Sequence, residues 1–264
     1  MSDFIAALPM YDWPELRDQV DAQWAKLCGA LRKAGVDAPE TLVRRNADVP
    51  AVPGGIRDAV GRVIAPDPST LPPDEFDLPT LWRHPKLLLG QTCWGPMETT
   101  GLAPLVRVIG QPSYDDVEGG RGELYSSAIV MRRSDIASRH AVAPADNAPS
   151  IPRDLICGKR LVFNSHDSMS GYLGISRDLA SLGEGLEMFS ERIESGGHRA
   201  SIVAIAEGRA DVATIDCRSW HLAQRFEPAA DELTVVGWTA KRKGLPYIAA
   251  LSVPPECFVH SPSS

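Results

Sequence analysis

The feature that most constrains the fold of this sequence is a repeated alternation of short apolar runs with segments of helical periodicity. Residues 4–8 form the first apolar run, and apolar residues then recur every three or four positions from Leu16 to Leu31, which predicts a helix with one buried face. Further strands are predicted at residues 86–90, 105–110, 123–131, 160–164, 212–215, 233–238 and 247–251, with helices at 172–182, 199–207 and 218–224. Residues 48–80 contain seven prolines and are predicted to form a long loop. Strands that alternate with helices favour an α/β fold with mainly parallel sheets.

Composition and charge exclude several classes of protein. Hydrophobic residues make up 44% of the 264 residues, which is enough for a buried core, and the net charge of −7 argues against nucleic acid or an anionic membrane as the main partner. The five cysteines are widely spaced and contain no C-x-x-C pair, so reduced thiols are expected rather than disulfides or a zinc site. No sequence signature of a metal or cofactor is present, and we expect neither.

The beginning of the sequence bears on its compartment. Asp3 stands where a secretory leader would carry basic residues, and Pro9 interrupts the first apolar run. The sequence as written is therefore expected to be cytoplasmic, or periplasmic if the true start lies upstream.

The densest group of polar residues is at 164–172, where a predicted strand ends and a helix begins. Asp167 or Ser168 can cap this helix, and the first amides of a helix lack partners within the helix. With the hydroxyls of Ser168 and Ser170 beside them, these amides suit a phosphate, a phosphonate or a carboxylate. This pattern is compatible both with a simple helix cap and with an anion-binding site.

The neighbouring residues Ser165, His166 and Asp167 also suggest hydrolysis. Consecutive residues point in different directions, however, whereas a catalytic triad needs side chains that converge from separate segments. The pattern G-x-S-x-G is absent because His166 lies two positions before Ser168. We therefore do not expect a hydrolase.

Other polar residues follow predicted strands or precede predicted helices. Gly196 and Gly197 precede His198 at the start of a helix, which suits either the wall of a ligand site or an ordinary turn. Because ligands bind beyond the carboxyl ends of parallel strands, we also expect residues at strand ends to face a ligand. These strand-end residues are Tyr11, Asp12, Gln91, Thr92 and Asp216.

Five segments together resemble a known family, the phosphate/phosphonate-type substrate-binding proteins of ABC transporters. In order, they are residues 10–14 (MYDWP), 88–93 (LLGQTC), 167–172 (DSMSGY), 197–201 (GHRAS) and 207–216 (EGRADVATID). The resemblance extends over about residues 5–251. It implies a type 2 periplasmic-binding-protein fold, in which two α/β lobes are joined by two crossing strands. Lobe 1 would comprise residues 1–118 and 242–264, and lobe 2 residues 119–241.

The resemblance also implies a function and a set of ligand-binding residues. A monomer would capture a small oxyanion between its two lobes for an ABC-type transporter, without catalysis. Tyr125 and Ser126 would lie near the crossover, and Asp216 would suit an amino group on the ligand or else cap the following helix. The implied site is Tyr11, Asp12, Gln91, Thr92, Tyr125, Ser126, Asp167, Ser168, Met169, Ser170, Gly171, Tyr172, His198 and Asp216.

Two other functions are compatible with the same fold. One is a cytoplasmic enzyme, similar to chorismate dehydratase or to the thiamine-pyrimidine synthases, for which His166, His198 and Asp216 are the candidate catalytic groups. The other is a sensor or accessory subunit whose ligand-bound form is recognised by another protein. Fold alone does not separate these functions.

Overall fold

The computed structural model describes residues 2–136 and 140–258. These residues form two compact units, the first from residues 2–111 and 245–258 and the second from residues 112–136 and 140–244. The chain therefore passes from one unit to the other twice, after Gln111 and after Gly244. Residues 112–118 and 242–244, which the sequence analysis placed in lobe 1, fall in the second unit.

Strands and helices alternate along most of the described chain. The strands are β1 (Ile5–Ala7), β2 (Ile56–Arg57), β3 (Val63–Ala65), β4 (Leu87–Gln91), β5 (Val106–Gly110), β6 (Gly120–Arg121), β7 (Leu124–Tyr125), β8 (Ser127–Arg132), β9 (Arg160–Phe163), β10 (Glu191–Glu194), β11 (Val212–Asp216), β12 (Leu233–Trp238), β13 (Arg242–Lys243) and β14 (Tyr247–Ala250). The helices are α1 (Arg17–Lys33), α2 (Leu78–Arg83), α3 (Trp94–Thr99), α4 (Arg153–Ile156), α5 (Gly174–Ser181), α6 (His198–Ala206) and α7 (Cys217–Phe226). One turn of π-helix, Met169–Leu173, precedes α5.

The first unit is built on a four-stranded sheet in the order β1-β4-β14-β5. Helix α1 has the predicted amphipathic face, because Val20, Trp24, Cys28 and Leu31 are its buried residues. Their side chains belong to the same apolar core as β1 and β4. Since β1 and β4 are parallel neighbours, the residues that follow them leave the sheet at the same edge.

The second unit is built on a five-stranded sheet in the order β10-β9-β11-β8-β12. Strands β10, β9 and β11 are parallel to one another, whereas β8 is antiparallel to both β11 and β12. The carboxyl ends of the three parallel strands therefore meet at one edge of the sheet. A separate small sheet, in the order β13-β7-β6, contains the last strand before the chain leaves this unit.

Both large sheets are mixed, rather than mainly parallel as expected. The antiparallel strands β8 and β14 are the first long strands after the chain passes from one unit to the other. They are not preceded by the strand–helix–strand crossover that makes neighbouring strands parallel.

Three local predictions need correction. The predicted loop at 48–80 contains the hairpin β2–β3, and β10, whose sequence is ERIE, was not predicted because it has no apolar alternation. The predicted strand at 123–131 is interrupted at Ser126, whose backbone N–H and hydroxyl both donate to the carbonyl of Gly119.

Within the described part of the chain, no helix has the length and apolarity needed to cross a bilayer.

Candidate functional site

The segment after β9 forms a capped helix start, which we call the Ser168 turn (residues 168–174). The Ser168 hydroxyl accepts a hydrogen bond of 3.0 Å from the backbone N–H of Gly171. The carbonyl of Ser168 accepts from the N–H of Leu173, five residues later, at 2.9 Å, which makes this a π-helical turn. The predicted capping by Ser168 is therefore confirmed.

Gly171 is required at its position by a close contact. A Cβ atom added there would lie 2.0 Å from the Oδ1 atom of Asn164. The carbonyl of Gly171 also accepts a hydrogen bond of 2.8 Å from the hydroxyl of Thr214 on β11. The absence of a side chain thus lets the turn lie directly against the end of β9.

Four polar side chains from three segments of the second unit form a continuous row. The oxygens of Ser168 and Ser170 are 3.3 Å apart, and the Ser170 oxygen lies 2.8 Å from Nε2 of His198. The same Nε2 atom is 3.3 Å from a carboxylate oxygen of Asp216. These side chains meet because the Ser168 turn, the start of α6 and the start of α7 follow β9, β10 and β11, whose carboxyl ends share one edge.

Ser168, Ser170 and Asp216 are buried, and the side chain of His198 is only 12% exposed, which determines the charge of the histidine. Burial lowers the pKa of His198, although the Asp216 carboxylate acts in the opposite direction. The imidazole is therefore neutral at pH 7. Its other nitrogen, Nδ1, is buried and has no hydrogen-bond partner among residues 2–136 and 140–258.

The arrangement of Ser170, His198 and Asp216 differs from that of a catalytic triad. In a triad, the acid binds the histidine nitrogen opposite to the one that faces the serine. Here both the serine and the carboxylate contact Nε2. Asp216 also caps α7, because its second oxygen accepts from the N–H of Ser219 at 2.9 Å. The geometry suits hydrogen bonding to a ligand rather than activation of a nucleophile.

The buried histidine predicts a pH dependence of stability. In the unfolded chain a histidine takes up a proton near pH 6.5, whereas folded His198 does so only at lower pH. Between these two values the unfolded state binds more protons, so the free energy of unfolding decreases as the pH falls through about 6.5 toward the lower pKa of the folded imidazole. His198→Asn is expected to reduce this slope, as measured by urea denaturation at several pH values.

A second variant provides a comparison for this experiment. Burial also lowers the pKa of His84 in the first unit, so His84→Asn is expected to reduce the slope independently. A slope that stays at the wild-type value in His198→Asn would contradict a neutral, buried His198.

The other predicted residues near the turn have different roles. Asp167 accepts a hydrogen bond of 2.6 Å from the Ser165 hydroxyl, and the exposed His166 packs edge-on against the rings of Phe163 and Tyr172. As expected from the sequence, Ser165, His166 and Asp167 form no triad. Tyr172 is half-buried, and Met169 is buried.

Tyr125 and Ser126 lie elsewhere in the second unit. The Tyr125 ring is buried and stacks on Tyr114, with 5.5 Å between the ring centroids. The Ser126 hydroxyl donates to Gly119, and the Ser126 carbonyl accepts from the N–H of Cys217, next to Asp216. Ser126 is thus joined to the row through the backbone.

In the first unit, the predicted residues follow β1 and β4. Gln91 and Thr92 are buried, and the Thr92 hydroxyl has no hydrogen-bond partner among the residues that the structure describes. Tyr11 is half-buried. Asp12 does not cap a helix, because its carboxylate forms an ion pair of 2.5 Å with Arg44.

Sequence reasoning missed two residues that contact the Ser168 turn. Thr214 is buried and donates to Gly171, and Arg242 donates to the carbonyl of Gly174 at 3.2 Å. A polar residue within the apolar strand 212–215 was an available signal for Thr214. No local pattern marks Arg242, because its contact depends on tertiary structure.

Two α/β units with polar side chains at the carboxyl ends of parallel strands are typical of proteins that bind small ligands. This chain belongs to the family described as the phosphonate periplasmic substrate-binding proteins of ABC transporters, whose model matches residues 98–258. No curated protein sequence matches the chain. The predicted family is therefore confirmed, and it is a family of substrate-binding proteins rather than enzymes.

Solved structures show the same fold at low sequence identity. PhnD1 from Prochlorococcus marinus, solved in complex with methylphosphonate, has a TM-score of 0.59 and 16% identity, over 94% of this chain and 76% of that one. A binding-protein component of an ABC phosphonate transporter from Pseudomonas aeruginosa has a TM-score of 0.59 and 13% identity, over 97% and 71%. A histidine kinase sensor domain has a TM-score of 0.50 and 14% identity, over 95% and 83%. These likenesses confirm the two-lobed α/β fold class.

The family also bears on the partners and the compartment. Its members bind a small phosphonate ligand, work with an ABC transporter and are periplasmic. The expectation of a cytoplasmic protein is not supported, and the periplasmic alternative agrees with the family.

Proposed function

We propose that this protein binds a small phosphorus oxyanion at the Ser168 turn and presents it to an ABC transporter in the periplasm. The observation that carries the proposal is the buried row of Ser168, Ser170, His198 and Asp216 at the carboxyl ends of three parallel strands. Hydroxyls beside the first amides of a helix are suited to oxyanions, because the amides and the helix dipole both favour negative charge.

The Asp216 carboxylate narrows the class of ligand. A carboxylate beside a fully ionised oxyanion would repel it, so the ligand is expected to carry a hydrogen-bond donor at that point. An amino group on a phosphonate satisfies this requirement, and so does the acid proton of a singly ionised oxyanion. Neutral His198 accepts or donates one hydrogen bond without adding charge.

The first unit supplies further proposed contacts. We propose that Tyr11, Gln91 and Thr92 contribute to ligand binding, as the sequence analysis expected. The Thr92 hydroxyl supports this, because it is buried without a partner in the described part of the chain and a buried hydroxyl is normally hydrogen-bonded. We further propose that the two units are the two lobes, that one chain suffices as a monomer, and that nucleic acid is not a partner.

A thermal-shift screen tests the proposed function. The purified protein is heated with phosphate, phosphite, methylphosphonate, 2-aminoethylphosphonate, sulfonates and chorismate. A ligand at 100 times its dissociation constant adds about 2.7 kcal/mol to stability. The expected result is a rise of about 5 °C in melting temperature with one phosphorus oxyanion. A shift with chorismate alone, or with none of these compounds, would reject the proposal.

The Ser168→Ala/Ser170→Ala double variant tests the location of the site. Each hydrogen bond to a charged group contributes about 1.5–3 kcal/mol, so loss of both is expected to weaken oxyanion binding by about 100-fold or more. Isothermal titration calorimetry measures this change. The helix start loses its cap, which costs about 1 kcal/mol, so the fold is expected to persist.

Ser181→Ala is the matched control for the double variant. Its hydroxyl donates to a backbone carbonyl, that of Asp178, at the far end of α5. Ser181 is exposed and alanine is the better helix former, so the control is expected to keep wild-type stability and wild-type affinity. Wild-type affinity in the double variant would place the ligand elsewhere.

A further inference from the structure

The Ser168 turn adopts a conformation that needs support from outside. π-Helical turns are rare, and their hydrogen bonds span five residues instead of four. Within this turn, the N–H groups of Tyr172 and Leu173 share the carbonyl of Ser168. Two side chains from distant strands contact the carbonyl groups of the same segment.

The first of these side chains is Thr214. It lies on β11, is buried, and donates a hydrogen bond of 2.8 Å to the carbonyl of Gly171. Because a peptide unit is planar and trans, holding this carbonyl also fixes the direction of the N–H of Tyr172 on its other side. Thr214 therefore supports the internal hydrogen bond from the N–H of Tyr172 to the carbonyl of Ser168, without belonging to the polar row.

The second side chain is Arg242, on β13. Its guanidinium donates to the carbonyl of Gly174, at the end of the turn, and forms an ion pair with the buried carboxylate of Asp178 on α5. The guanidinium also donates to the carbonyl of Ala240. The backbone N–H of Ala240 in turn donates to the Asp178 carboxylate at 2.8 Å. The guanidinium is thus held in one orientation by three groups.

We propose that Thr214 and Arg242 are positioning residues, which hold the Ser168 turn in the conformation that binds the oxyanion. This inference rests on the proposed function. Neither residue belongs to the row of Ser168, Ser170, His198 and Asp216, and both contact carbonyl groups of the turn. They determine affinity by keeping the hydroxyls and amides of the turn oriented before the ligand arrives.

The test uses the variants Thr214→Val and Arg242→Lys in the full chain. Valine keeps the shape of threonine and removes only the hydroxyl, whereas lysine keeps the charge and loses the planar geometry that contacts three acceptor groups at once. Thr234→Val is the control. Thr234 is a buried threonine on β12, the edge strand of the same sheet on the side away from β9 and β10. Two measurements are made on each: amide hydrogen exchange of the unliganded protein, and the dissociation constant for methylphosphonate and 2-aminoethylphosphonate.

In Thr214→Val and Arg242→Lys, the amides of residues 170–175 are expected to exchange about tenfold faster, because a buried carbonyl loses its donor. The dissociation constant is expected to rise by about the same factor, while exchange elsewhere in the sheet stays at the level of the Thr234→Val control. A purely structural role would instead accelerate exchange throughout the second unit and leave affinity unchanged.

The two proposals fail in different ways. Wild-type exchange in the turn of both variants would overturn the positioning role, whatever the wild-type protein binds. Local acceleration without any change in affinity would also overturn it. If the wild-type protein binds no oxyanion, the proposed function fails, and the positioning role for oxyanion binding fails with it.

Discussion

Gly171→Ala is expected to abolish oxyanion binding and to lower the melting temperature by roughly 10 °C. The added methyl group would lie 2.0 Å from the Asn164 side-chain oxygen and 3.3 Å from the Asn164 backbone nitrogen, so the Asn164 side chain must turn away and the turn must shift slightly from the end of β9. Overpacking of a buried site costs up to about 3 kcal/mol, and about 2–4 °C is lost per kcal/mol in a protein of this size. A shift of the turn displaces Ser168 and Ser170, whose hydroxyls are the proposed donors to the ligand. Calorimetry of unfolding and of methylphosphonate binding measures both effects.

Gly29→Ala is the matched control for this prediction. Gly29 lies within α1, and a Cβ atom there would meet no atom within 4 Å. Alanine in a helix is favoured over glycine by about 0.8–1 kcal/mol, so this variant is expected to be more stable than wild type. A Gly171→Ala protein with the wild-type melting temperature and affinity would show that the turn does not lie against Asn164.

Asp178→Asn is expected to destabilise the second unit by about 3 kcal/mol. Asp178 is buried and pairs with Arg242, whose side chain is 19% exposed. Removing one partner of a buried ion pair leaves the other charge without compensation, which costs about 3–5 kcal/mol. Asparagine keeps the shape, so the loss measures the charge. Urea denaturation gives the change in free energy of unfolding.

A double-mutant cycle checks the physical reason for this loss. Arg242→Met combined with Asp178→Asn removes both charges, so the double variant is expected to lose less stability than the sum of the single losses. The exposed pair of Glu207 and Arg209 is the control, because Glu207→Gln there is expected to cost less than about 1 kcal/mol. Strict additivity in the Asp178–Arg242 cycle would contradict a coupled buried pair.

Helix α1 and the strands β1, β4, β5, β9, β11, β12 and β14 were predicted from the sequence to within about two residues at each end. Their apolar periodicity is strong because each element buries one face or both. Strand β10 and the hairpin β2–β3 were missed, since they are short and partly exposed and so carry little apolar periodicity. Ser168, Ser170, His198 and Asp216 were recognised as candidates because each stands at the start of a helix or the end of a strand.

By itself, the sequence determined the α/β class, the family and the residues at the element ends that are available to a ligand. It determined these because periodicity, capping and the family motifs are local properties of the chain. Only the tertiary structure decided that Ser170 meets His198, 28 positions away in sequence, and that both Ser170 and Asp216 contact the same nitrogen. It also decided that the sheets are mixed and that Thr214 and Arg242 donate hydrogen bonds to carbonyl groups of the Ser168 turn. Strand order, strand direction and burial bring these groups together, and they depend on how whole elements pack, which no short segment of sequence encodes.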